Sequence, residues 1–119
     1  MLSTILKNID IDYGITKSIS STVLDSSTNL PVDISSYTAV LKATSCSTDQ
    51  QVFTLSSASG NISLNTTGVV SIIFPPSFST FNAGGPTRLY YDVMITNPGN
   101  VKYKVLYGFI CINYCTINS

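Results

Sequence analysis

The chain has 119 residues, and its six basic and six acidic groups give a formal net charge of zero. That balance leaves no excess to neutralise phosphates and argues against nucleic acid as a partner. Charged residues are only 10% of the chain, against about 25% in ordinary soluble proteins, so serine and threonine hydroxyls must supply most of the solvated surface.

A chain this long suits one domain, residues 1–119, burying roughly two-thirds of its unfolded surface. Thr, Val, Ile and Tyr favour strands, and turn signals recur about every 8–12 residues, as in an all-β sandwich or barrel. In chain order the expected strands are Thr4–Tyr13, Thr16–Leu24, Thr38–Thr44, Gln51–Ser56, Ile62–Asn65, Val69–Phe74, Leu89–Thr96 and Val101–Ile112. Gly14 separates the first two, or marks only a bulge or bend between them. A short turn over Ser77–Phe81, after Pro75-Pro76, is the nearest approach to a helix.

The last two strands form the clearest pattern, YYDVMITNPGNVKYKVLYGF from Tyr90 to Phe109. Period-two alternation predicts that Tyr91, Val93, Ile95, Val101, Tyr103, Val105 and Phe109 line one core face of an antiparallel hairpin. Pro98 and Gly99 favour a type II turn with positive φ at Gly99. That turn twists the wrong way for a minimal hairpin, so a longer loop or a bulge is expected around Asn97 to Asn100.

Chemistry is sparse. Histidine is absent, which removes the commonest general base and metal ligand, and glutamate is absent too. Asp10 and Asp12 share a strand face and read as exposed carboxylates beside a turn. There is no G-x-S-x-G elbow, P-loop or G-x-G-x-x-G. The expectation is a non-enzyme with no catalytic, cofactor-binding or metal-ligating residues and no cofactor. Cys46, Cys111 and Cys115 are an odd set and read as free or buried thiols. The start, MLSTILKNIDID, has no basic n-region before its apolar run, so no signal peptide is expected. Val105 to Ile112 is far shorter than the roughly 20 residues of a membrane span, and no membrane partner is expected.

A stacking platform for sugars or bases needs exposed aromatics with cationic support. Strict alternation points Lys102 and Lys104 away from Tyr103 and Tyr107, so the tyrosines are assigned to the core. Low charge and few edge-strand guards favour edges and apolar patches covered by other subunits. Candidate contact residues are Met1, Leu2, Ile5 and Leu6 on a terminal docking arm (residues 1–6). Pro75, Pro76, Phe78 and Phe81, on a proline-stiffened loop, are the others.

Three stretches together resemble a family of small β-sandwich (Ig-like) virion accessory proteins of tailed bacteriophages. Asn29-Leu30-Pro31-Val32-Asp33-Ile34-Ser35-Ser36-Tyr37 looks like the family's x-x-x-P-V-D-L-T-G-Y lead into a strand, with Ser36 in place of the usual glycine. Gly68-Val69-Val70-Ser71-Ile72 is similar to its G-x-i-x-l strand. Tyr91-Asp92-Val93 with Val105-Leu106-Tyr107-Gly108 resembles its Y-D-l … l-l-x-G closing hairpin. Pro86-Thr87-Arg88 lengthens the approach to that hairpin. The resemblance implies a single antiparallel Ig-like sandwich of about 7–8 strands that ends in a long C-terminal hairpin. It also implies a non-enzymatic virion protein, made in the host cytoplasm and contacting other virion proteins. A capsid decoration or cement protein between capsomers is the first expectation, as a homo-oligomer with a trimer favoured. A tail, baseplate or fibre-adaptor protein is the alternative. A small carbohydrate- or receptor-binding module is the third reading, and it requires an exposed aromatic cluster.

Overall fold

The computed structural model describes residues 2–12, 14–45, 51–75 and 88–113. Within them the fold is all-β. The strands are β1 (Ile5–Leu6), β2 (Ile9–Asp12), β3 (Lys17–Thr22), β4 (Thr38–Ser45), β5 (Gln51–Ser56), β6 (Ile62–Leu64), β7 (Val69–Phe74), β8 (Arg88–Thr96) and β9 (Lys102–Asn113). They form two sheets. The large sheet runs β1-β9-β8-β4-β5, with β2 also beside β9, and the small sheet runs β3-β7-β6. One core unites residues of both, including Ile11, Leu41, Val93 and Ile110 from the large sheet and Val70, Ile72 and Phe74 from the small. The predicted strand positions hold closely from Thr38 onward. The short turn expected at Ser77–Phe81 lies outside the described residues.

The first expected strand is two. β1 and β2 lie along successive halves of β9, both parallel to it, with Ile5 opposite Leu106 and Ile9 opposite Ile110. The break falls at Lys7-Asn8, which crosses close over Gly108. There Gly108 has φ +152°, and a methyl group on it would come within 2.5 Å of the Lys7 carbonyl oxygen. The crossing is held on three sides. The Lys7 N–H donates to the Tyr107 carbonyl at 2.9 Å, the Tyr91 hydroxyl donates to the Lys7 carbonyl at 2.6 Å, and the Phe109 N–H donates to Asn8 Oδ1 at 3.1 Å. After β2 the chain turns at Gly14 (φ 77°) and enters the small sheet as β3.

The closing hairpin exists, with a turn and a face that differ from the expectation. The Asn100 N–H donates to the Asn97 carbonyl at 2.9 Å, and positive φ falls on Asn100 (67°), with Gly99 outside that region. This is the pattern of a type I turn followed by a left-handed residue, which matches strand twist in a longer hairpin loop. Asparagine tolerates that conformation better than most residues. Further along, the register shifts between Val93 and Met94: Val93 opposes Leu106, and Met94 opposes Lys104. Val105 is the extra residue of a β-bulge, which reverses the facing of everything after it. Val105 and Leu106 are therefore both buried.

The bulge corrects the predicted core face. Tyr91, Val93, Ile95 and Val105 are buried, and Tyr103 is half-buried against the core. Phe109 is not on that face: Leu106, Gly108, Ile110 and Ile112 take the inner positions, and Phe109 stands outside, half-buried. Val101 is 48% exposed, because it precedes β9 in the turn.

The stretches that carried the resemblance have structural jobs here. Leu24 bridges Pro31, and Ile34 is fully buried. The Asp33 carboxylate accepts from the Ser35 N–H at 3.0 Å and hydroxyl at 2.8 Å, fixing the turn before β4. Gly68 (φ +84°) lies so close to this segment that a Cβ would meet the Val32 carbonyl oxygen at 2.9 Å.

Candidate functional site

Among the described residues, three surfaces stand out once the core is assigned. The first is the outer face of the small sheet. Ser20, Ser71 and Ser63 stand in one cross-strand row, and Ser18 opposes Ile73. With Thr22 and Val69 these are the outward positions of the three strands, and none of them is charged. Among the described residues β3 and β6 each pair with β7 alone, so both sheet edges are open.

The second is a cleft of about 380 Å³ where the free edge of β2 approaches β3, lined by Lys7, Asn8, Asp10, Lys17, Ser18 and Ser20 among others. Both signs of charge are present there, and its outer rim is shared with the serine face.

The third surface is the outer face of the large sheet, and it holds what strict alternation hid. The bulge places Tyr107 and Phe109 on the same side as Tyr90, Asp92 and the two lysines of early β9. Tyr90 is 47% and Tyr107 41% exposed. Tyr90 and Phe109 oppose each other with ring centroids 4.8 Å apart, tilted by 33°. The Arg88 guanidinium lies over the Phe109 ring at 5.1 Å, in range of a cation–π contact. Leu6, 57% exposed, stands beside Tyr107. The sequence signal for this arrangement was the adjacent apolar pair Val105-Leu106 followed by Gly108, which breaks a clean period of two.

Next to these rings a trough of about 440 Å³ runs along β8. Met94 and Val40 are its apolar lining, and Lys42, Lys102, Lys104 and Asp92 are its charged groups. Lys104 Nζ is 3.8 Å from Asp92 Oδ2, with both side chains well exposed. Lys42 is the cross-strand neighbour of Asp92 on β4.

Asp25 and Asp33 serve turns. The Asp25 carboxyl accepts from the Ser27 hydroxyl at 2.6 Å and N–H at 2.8 Å, and these bonds hold its pKa below the ordinary carboxylate value. The Ser35 N–H and hydroxyl do the same for Asp33. Burial pushes the Tyr91 phenol up to about 12, so at neutral pH its hydroxyl remains the donor to Lys7. Among the described residues no three of His, Cys, Asp and Glu are grouped as a metal site, and no helix is long and apolar enough to cross a membrane. Cys111 is a free, half-buried thiol; Cys46 and Cys115 lie outside the described residues.

The expected docking arm is not free. Leu2 bridges Asp25, the Ser3 N–H donates to the Leu24 carbonyl at 2.9 Å, and the Thr4 hydroxyl donates to the Lys104 carbonyl at 2.7 Å. Leu2 and Ile5 pack partly against the chain's own core. The neighbours that tie the terminus down are the Leu24-Asp25 segment and β9, and among the described residues of this arm Leu6 is the exposed apolar group. Pro75 is half-buried after β7, and Met1, Pro76, Phe78 and Phe81 lie outside the described residues.

Comparison with family models and with curated proteins finds no match to this chain.

Proposed function

We propose that the chain is a non-enzymatic structural protein of a tailed-bacteriophage particle, an Ig-like sandwich that binds between capsomers as a capsid decoration protein. The sequence resemblance supports the particle. The observation that carries the contact role is the uncharged outer face of the small sheet, whose two edge strands pair with β7 alone among the described residues. The β3 edge borders the cleft that holds Lys7, Asp10 and Lys17, whereas an edge with unpaired backbone groups and few guarding charges, as at β6, invites pairing with another chain. Desolvating hydroxyls and Ile73 costs far less than desolvating lysines or carboxylates. Many copies on a symmetric lattice, with a trimer as the expected unit, would cover this face without any single strong contact. The alternative place in the particle is the tail or baseplate, where the same face would meet a different neighbour.

The test is the position of the protein in an intact particle by electron microscopy, together with two variants. Ser20→Lys and Ser63→Lys put a charge on exposed positions of the serine row. Both are expected to melt like the parent and to lose attachment to particles. Undiminished attachment of both would overturn the assignment of this face, and density at the baseplate would replace decoration by the tail role.

A further inference from the structure

The chain has six basic residues, and four of them, Lys42, Arg88, Lys102 and Lys104, stand on the outer face of the large sheet. These cations stand on the β4-β8-β9 part of the face with Asp92, while its other described carboxylates stand on β2, beyond β9. Three of these lysines share one trough with a single carboxylate, Asp92. Asp92 is already engaged with Lys104, so the trough keeps an excess of two positive charges. Asp10 and Asp12 are also on this side but stand at the far edge, beside Cys111 and Asn113 on the other flank of β9. Like charges held this close repel, and an anion lying between them relieves that repulsion.

The aromatic rings adjoin the trough directly. Tyr107 is the cross-strand neighbour of Asp92 on one side, and Lys42 is its neighbour on the other. At about 5 Å per strand, Tyr107 and Lys42 are roughly 10 Å apart, with Lys104 on the Tyr107 side. Tyr90 and Phe109 continue the apolar floor one row further along. A ligand filling this face needs an apolar ring surface to lie on tyrosine and an acidic group a short reach away. It also needs hydroxyls for the surrounding Thr44, Thr96 and lysine donors. A pyranose ring presents axial C–H bonds to an aromatic face and hydroxyls at its rim. A uronic acid adds a carboxylate joined directly to that ring.

We infer that the outer face of the large sheet binds an acidic, uronate-bearing glycan, with the exposed Tyr107 and Tyr90 stacking sugar rings and Lys42, Lys102 and Lys104 taking carboxylates. This site is independent of the particle reading, because it uses the opposite side of the molecule from the serine face. Single-stranded nucleic acid is the lesser fit, because a chain with six basic and six acidic groups has no overall excess of charge to neutralise a run of phosphates.

The experiment is titration calorimetry of the full chain with tetragalacturonate, a neutral hexose tetramer and a thymidine octamer, at low and at near-physiological salt. The uronate is expected to bind, more weakly as salt rises, and the neutral sugar at least roughly tenfold more weakly. Lys104→Gln and Tyr107→Ser should each weaken uronate binding several-fold with an unchanged melting curve, and Ser20→Lys should leave it unaltered. No heat with the uronate, equal affinity for the neutral tetramer, or tighter binding of the thymidine octamer would each overturn the inference. Unaltered uronate binding by both Lys104→Gln and Tyr107→Ser would remove it from this face.

Discussion

On the outer side of the small sheet, Ser18, Ser20, Ser63 and Ser71 surround Ile73. Across the core, the large sheet shows solvent Lys42, Arg88, Lys102 and Lys104 beside Tyr90, Tyr107 and Phe109. Both surfaces are the unburied sides of pleated strands whose inner residues meet in one core, so packing asks the same of each. The core therefore does not set their difference. A face of hydroxyls can be covered at small desolvation cost, while a face of rings and ammonium groups selects a ligand by charge and shape.

The comparison holds only if the inner sides of the two sheets are equivalent, and that gives the largest expected effects. Phe74 of the small sheet and Leu41 of the large are both fully buried. Phe74→Ala and Leu41→Ala should each cost about 3–5 kcal/mol in chemical denaturation, through lost transfer energy and the cavity left behind. If one variant lost less than about 1 kcal/mol, its sheet would not be a full partner in the core.

A somewhat smaller effect tests the hinge of the aromatic face. Gly108 sits on the inner side between outward Tyr107 and Phe109, under the Lys7 carbonyl. Gly108→Ala adds a clash and holds a side chain at a φ it rarely adopts, for a cost of about 3 kcal/mol. Gly60→Ala, where nothing lies within 4 Å, keeps the φ strain without the clash and should cost clearly less. Equal costs would show that β1 and β2 do not cross at Lys7-Asn8 as described.

Tyr91 links the same crossing to pH. Its hydroxyl bonds to Lys7, and burial raises its pKa from 10.0 to about 12. Because the folded value lies above the unfolded one, the phenol's contribution is complete below about pH 10. It declines as pH rises toward 12, by about 2–3 kcal/mol in all. Tyr91→Phe should lower stability at pH 7 and flatten its decline between pH 10 and 12, read from denaturation midpoints against pH. A parallel decline in the two proteins would place the alkaline loss on other groups.

Much of the fold was legible in the sequence, because alternation and turn residues are local signals. β5 and β7 fall on their predicted residues. The turn at Asn97–Asn100 was located by Pro98 and Gly99, though the left-handed residue proved to be Asn100. What stayed hidden depends on distant partners. The split of the first strand is imposed by Gly108, about a hundred residues later in the chain. The facing of Tyr107 and Phe109 turns on one unpaired residue at Val105, which a period-two reading carries straight through. That residue moved the aromatic cluster from the expected core to the surface, and with it the site argued above. Leu2 and Ile5 were expected to contact another subunit because no local signal shows that Asp25 and β9 lie beside them in the same chain.

Val105 can itself be tested against Val101, two residues that strict alternation treats alike. Val105→Ala should cost about 1–3 kcal/mol, since the side chain is 2% exposed. Val101→Ala should stay within about 0.5 kcal/mol, since that side chain is 48% exposed. Similar losses would restore the unbulged strand and return Phe109 to the core.

The smallest stability effects are expected from the outer faces themselves, and there the informative quantity is a ratio of readouts. Ser20 and Lys42 are exposed strand residues on opposite sides of the core. Ser20→Ala and Lys42→Ala should each move the denaturation free energy by no more than about 0.5 kcal/mol. With folding unaltered, the two faces become separable by function. Lys42→Ala should weaken uronate binding several-fold, because the trough loses one of its three ammonium groups. It should leave particle attachment intact. Ser20→Ala should preserve both activities, since a methyl group adds neither charge nor bulk to the serine row, whereas Ser20→Lys should remove attachment alone. Loss of both activities from either single variant would mean that the faces act as one surface. Their contrasting chemistry would then describe a single extended contact, with hydroxyls at one end and lysines at the other.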